Sequence, residues 1–193
     1  MILPIRIYGD PILRTQTQDV EADSNGLQEL IADMHETLQQ AAGIGLAAPQ
    51  VGRTERLFLV DLTELLDSAD NGEAALLPPQ PMVFINPRLL WEGAEEEEFE
   101  EGCLSIPDVR EMVTRPERVI LAYRDRNFQP QELETGGLLA RVIQHEYDHL
   151  EGVLFIDLIS PFRRSFLKRR LREMAQGNVE APYAIVAGGE AVG

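Results

Sequence analysis

The chain has 193 residues, 44% hydrophobic and 26% charged, which fits one globular domain with a proper core. Its net charge of −16 argues against a DNA or general nucleic-acid binder, which needs a basic surface to meet phosphates. A lone cysteine, Cys103, excludes an intramolecular disulfide, and no apolar run is long enough to span a membrane. The opening MILPIRIYGDP is broken by Pro4 and Arg6 and lacks a signal-peptide core, so a cytoplasmic protein is expected.

The first predicted element is a helix over 26–42, where Leu27, Leu30, Ile31, Met34 and Leu38 repeat at the spacing of one helical face. Asn25 and Gln28 stand where an N-cap and its N3 partner are expected. Gly43 and Gly45 end this helix and begin GIGLAAPQVG, 43–52. Read as G-x-G-x-x-A, this stretch imitates a dinucleotide-binding fingerprint. That fingerprint must follow a strand and open a helix. Here it follows a helix, and Pro49 disfavours helical backbone at Ala48, so no helix is expected inside the motif. The glycines read instead as backbone that must pass close to something.

Strands are predicted at 56–62, 82–90, 118–125 and about 129–134. Between the first two, Asn71-Gly72 and Pro78-Pro79 mark 63–81 as a mobile loop. The run EGAEEEEFEE, 92–101, holds seven glutamates and reads as a solvated edge strand or loop. Gly136-Gly137 opens a helix to about 150, and 162–175 reads as a basic helix with a narrow apolar rib of Leu167, Leu171 and Met174. A catalytic domain is thus expected over 1–176. The tail, 177–193, contains APYAIVA, a candidate last strand before a frayed end.

The strongest chemical signal is QHEYDHLEG, 144–152, which contains H-E-x-x-H. His145 and His149 are four apart, so on a helix both imidazoles can reach one ion. Glu146 stands about 100° round from His145 and can meet a water held there. Leu138 and Val142 fall on the histidine face, while Leu139, Ile143, Tyr147 and Leu150 form an apolar stripe opposite. A helix apolar on two sides is packed between layers. Arg141 lies about 40° from His145, which leaves two roles open: snorkelling outward, or bordering a pocket. In the first helix His35-Glu36 lacks the second histidine, since Gln39 occupies its place, and His35 reads as structural or surface.

A catalytic zinc-type site needs a third protein ligand. The longer HExxHxxGxxH pattern is matched through Gly152 and fails at Phe155. Glu173, in the basic helix, is the downstream candidate of an HExxH zinc peptidase. Cys103, in EGCLSIP, is the upstream one: it sits among Gly, Ser and Pro, as in a turn that aims one side chain, and a thiolate is a good ligand for a divalent metal.

Taken together and in order, GIGLAAPQ, EGCLS and HEYDHL resemble the three signature motifs of the peptide deformylases, with the resemblance running from about residue 4 to 160. It implies an α+β fold, with antiparallel β-sheets packed around a central HExxH helix. It implies a metal held by Cys103, His145 and His149, usually ferrous iron, with zinc, nickel or cobalt as substitutes. The activity it implies is removal of the formyl group from the N-terminal formyl-methionine of nascent polypeptides. The same resemblance assigns Glu146 as the proton carrier, Gln50 and the Leu104 N–H as donors to the developing oxyanion, and Ile44, Gly45 and Gly102 to the path of the extended substrate. It also points to ribosome contact through the basic helix. Segment 63–81 is longer than the compact members of the family need.

Overall fold

The computed structural model describes residues 1–63, 65 and 78–187. Its first helix, α1 (Asn25–Gln40), follows a two-residue strand, β1 (Ile5–Arg6). The cap of α1 is Ser24 rather than Asn25: its hydroxyl accepts from the Leu27 N–H at 3.1 Å. Gln28 turns away to Asp23 and the Arg126 carbonyl instead. The apolar face runs as its spacing predicts, with Leu27, Leu30, Ile31, Met34 and Leu38 all buried.

The motif after α1 forms β2 (Gly45–Ala47) and then one 3-10 turn, Ala48–Val51. The expectation of no helix within it holds for an α-helix but not for this single turn. Pro49 is tolerated there because the first amides of such a turn need no internal partner. Four strands follow: β3 (Leu57–Val60), β4 (Met82–Glu92), β5 (Glu96–Cys103) and β6 (Ile106–Pro116). The loop expected at 63–81 lies mostly outside the described residues. After β7 (Arg118–Arg124) and β8 (Pro130–Gly136) come α2 (Gly137–Leu150), α3 (Pro161–Ala175) and β9 (Ile185–Val186).

The architecture is α+β. Five antiparallel strands form a sheet in the order β2-β3-β4-β7-β8, and β5 and β6 form a separate antiparallel hairpin. The tail strand β9 pairs in parallel with β1, Ile5 opposite Ile185. Strand β6 escaped the sequence reading because IPDVREMVTRP mixes charges into both faces, and one of them, Arg115, is buried. The glutamate run is indeed a strand with most of its side chains in solvent, but Glu101 at its end is buried.

Helix α2 packs against β2, β3, β7 and β8. Leu139, Ile143 and Leu150 enter the same core cluster as Phe58, Phe84 and Leu121. Burying each such side chain stabilises the fold by about 1.5–3 kcal/mol. This stripe therefore fixes the rotation of α2, and its opposite face, with His145 and His149, is turned toward β5 and β6. Gly152 ends the element in a left-handed conformation, φ 73°. A Cβ there would lie 2.7 Å from the Arg14 carbonyl oxygen, so only glycine fits.

Candidate metal centre and active site

Cys103 stands at the end of β5, where the hairpin register slips: Gly102 faces Arg110, yet Cys103 faces Ile106. A bulge of this kind re-aims a side chain, and here the sulfur meets the histidine face of α2. Cys103 Sγ lies 3.2 Å from His149 Nε2. Ligand atoms of Cys103, His145 and His149 all fall within 4.8 Å of one another. The downstream candidate for a third ligand, Glu173, pairs instead with Arg169. At the position where the longer motif would carry histidine, Phe155 is buried with its ring 6.0 Å from that of His145. His35 hydrogen-bonds Asp61 at 2.8 Å, a structural role.

Glu101 orients the cluster. One carboxylate oxygen lies 2.8 Å from His145 Nδ1, which leaves Nε2 as that ring's ligand atom. Arg115 binds both carboxylate oxygens, at 2.6 and 3.0 Å, and also reaches Asp148 at 2.7 Å. Arg141 neither snorkels nor stands free. It is buried, donating to Glu101 at 3.0 Å and to the Val113 and Glu97 carbonyls at 2.8 and 2.6 Å, while its side chain borders the cleft. Burial pushes the Glu101 carboxyl up, but the His145 hydrogen bond and Arg115 more than offset this and hold it far below the usual range. It is therefore an anion throughout the neutral range. The reading of 92–101 as wholly solvated is therefore wrong at Glu101. A signal was available: Glu101 is two residues before Cys103, so on a strand the two share a face. Arg141 was marked by its place near His145 on the helix, whereas Arg115 left no such trace.

The donor set fits a divalent transition metal. Burial opposes a charge on His145, but bonds to Cys103 and Glu101 outweigh it and raise its pKa well above normal. Burial first, and then His145, hold His149 well below normal. The contacts of His145 with Cys103 and Glu101 thus favour positive charge at this point. A cation bound by one thiolate and two imidazoles satisfies the same demand, and sulfur with nitrogen suits metals of the zinc and iron kind.

Glu146 is buried beside this cluster, with Oε2 lacking a hydrogen-bond partner among the described residues. Burial pushes its pKa up to about 7. Its carboxylate rests on Gly45: a Cβ added there would lie 2.3 Å from Oε1. The motif glycine thus makes room for the glutamate, a requirement that stands apart from any approach of a substrate peptide. Gln50 is buried, its Oε1 accepting from the Ala47 N–H at 2.8 Å. That bond fixes the amide with Nε2 toward Cys103 Sγ, 3.5 Å, and Ser105 Oγ, 3.3 Å. Ile44, Gly45, Gln50, Gly102, Leu104 and Glu146 all line one cleft of ≈ 890 Å³. Its wall includes Tyr183 of the tail, whose pKa is pushed up to about 12 by burial and by Cys103 and Asp108, so the hydroxyl stays protonated.

A partly buried S/N/N donor set, a glutamate between its two histidines and an open cleft define a metal-dependent hydrolase. The model of the polypeptide deformylase family matches residues 2–165. Peptide deformylases of Salinibacter ruber and Flavobacterium psychrophilum are 61% and 50% identical, over 96% and 95% of this chain and 95% of each relative. A solved peptide deformylase of Synechococcus elongatus in complex with actinonin is 40% identical, with a TM-score of 0.77 over 95% of this chain and 92% of its own. The chain belongs to the polypeptide deformylase family, metal-dependent hydrolases that remove N-terminal formyl groups.

Proposed function

We propose that this chain releases formate from the formyl-methionine terminus of nascent polypeptides in the cytoplasm, with ferrous iron held by Cys103, His145 and His149. Zinc, nickel or cobalt would fit the same donors. A metal bound there supplies Lewis acidity, lowering the pKa of water and polarising a carbonyl. The rest falls to the protein. Glu146 takes a proton from the attacking water and delivers it to the departing amine nitrogen as the C–N bond breaks. The products are formate and a free amino terminus. Gln50 Nε2 and the Leu104 N–H donate to the formyl oxygen as it becomes an oxyanion. Ile44, Gly45 and Gly102 flank the extended substrate.

The observation that carries this reading is Glu146: a buried carboxylate beside the ligand cluster, with one oxygen unpartnered among the described residues and its pKa pushed by burial up to about 7. Such a group is suited to passing a proton both ways near pH 7. The HExxH helix serves as the centre around which the sheets are arranged, and residues 1–176 form one catalytic unit with 177–193 as its tail. The basic helix α3 is assigned to ribosome contact, which its charge supports. The test is formate release from formyl-Met-Ala-Ser by protein loaded anaerobically with ferrous iron. Wild type should turn over. Glu146→Gln should keep its metal but lose activity by about 10²–10⁴-fold. Full activity in that variant removes Glu146 from the mechanism.

A further inference from the structure

The family match ends at residue 165, yet the cleft is completed by residues beyond it. Tyr183 is half-buried in the cleft wall and donates its hydroxyl hydrogen to the Leu104 carbonyl at 2.8 Å. The segment that carries it is tightly held. The Ile5 N–H donates to the Ala184 carbonyl at 2.9 Å and the Ile7 N–H to the Val186 carbonyl at 3.1 Å. Ile185 packs against the cluster of Ile106 and Val109.

The target is the two-residue turn, Leu104-Ser105, that joins β5 to β6. Its second carbonyl, on Ser105, accepts from the Tyr8 N–H at 2.8 Å. The first, on Leu104, is held by Tyr183. The tip of the turn is thus tied on one side by the main chain of the N-terminal segment and on the other by a single hydroxyl from the tail. The N–H and carbonyl of Leu104 are linked through only two torsions, so fixing the carbonyl restrains the direction of the N–H.

We propose that Tyr183 is a positioning residue for deformylation: its hydroxyl, on the Leu104 carbonyl, aims the Leu104 N–H at the site of the oxyanion. This rests on the reading of that N–H as an oxyanion donor. Preorganised donors act only where charge develops, so loosening one lowers kcat and leaves ground-state binding alone. The loss of one neutral hydrogen bond's worth of alignment corresponds to about a fivefold fall.

The test is Tyr183→Phe, which keeps the ring and removes only the hydroxyl. On formyl-Met-Ala-Ser, kcat should fall about fivefold while KM stays within about twofold. Metal per chain should match wild type, and the thermal midpoint, measured on the same samples, should fall by no more than the few degrees, about 2–4 °C, that one hydrogen bond carries. An unchanged kcat overturns the proposal. So does a loss confined to KM, which would place Tyr183 against the substrate itself, or a loss that tracks missing metal. Wild-type protein that released no formate would sink the underlying reading of the site, and that failure is distinct from an active wild type with an indifferent variant.

Discussion

Gly45→Ala isolates the geometry of the proton carrier. The backbone at Gly45 is an ordinary strand conformation, so alanine brings no conformational strain. What it brings is a methyl group 2.3 Å from Glu146 Oε1 and 2.8 Å from both Cγ and Cδ. Non-bonded heavy atoms rest at about 3.5 Å, so the carboxylate must retreat by about 1 Å. Its room to do so is limited, since Glu146 is only 4% exposed. A misplacement of about 1 Å costs on the order of 10²-fold in rate, and overpacking costs about 1–3 kcal/mol of stability. The expected result is a kcat about 100-fold lower with metal retained, because the three atoms nearest the new methyl all belong to Glu146. A double-mutant cycle decides the cause. In a Glu146→Ala background the collision is gone, and Gly45→Ala should cost little more. If it costs the same factor in both backgrounds, the glycine serves substrate approach and the steric argument is wrong.

Gln50→Ala should lower kcat by about 10²-fold with the fold intact, as for a lost oxyanion donor; a rise in KM alone would make Gln50 a uniform binder. Glu101→Gln takes the carboxylate charge away from Arg141 and leaves Arg115 with Asp148, and should cost about 3–5 kcal/mol and about 10–100-fold in metal affinity, read by thermal melts and competition with a chelator. Its pH signature has a definite sign. The folded pKa of Glu101 is depressed, so its contribution is complete above the ordinary glutamate range and fades as pH falls toward the folded value. Wild type should therefore lose stability from about pH 4.5 downward more steeply than Glu101→Gln, and parallel slopes would discount the ion pair. Neutralising Arg163, Arg164, Lys168, Arg169, Arg170 and Arg172 to Gln should weaken co-sedimentation with ribosomes at low salt while short-peptide turnover stays nearly unchanged. Wild type that fails to co-sediment at low salt would refute the contact.

The sequence by itself determined the parts whose chemistry is local. Spacing four apart puts His145 and His149 on one helix face whatever surrounds them, and the opposite apolar stripe makes that helix a buried one. The order of GIGLAAPQ, EGCLS and HEYDHL was enough to select Cys103 over Glu173 by resemblance. Tertiary structure alone decided what depends on distant segments meeting. Glu101 looked like one more solvated glutamate because its partners, Arg115, Arg141 and His145, are 14, 40 and 44 residues away. That Gly45 also makes room for Glu146 left no local trace, because that neighbour is 101 positions further on. Tyr183 left no pattern at all, since a single hydroxyl reaching one carbonyl 79 residues back carries no periodicity. Periodicity records which face an element buries, whereas the identity of what lies against that face is fixed only when the whole chain has packed.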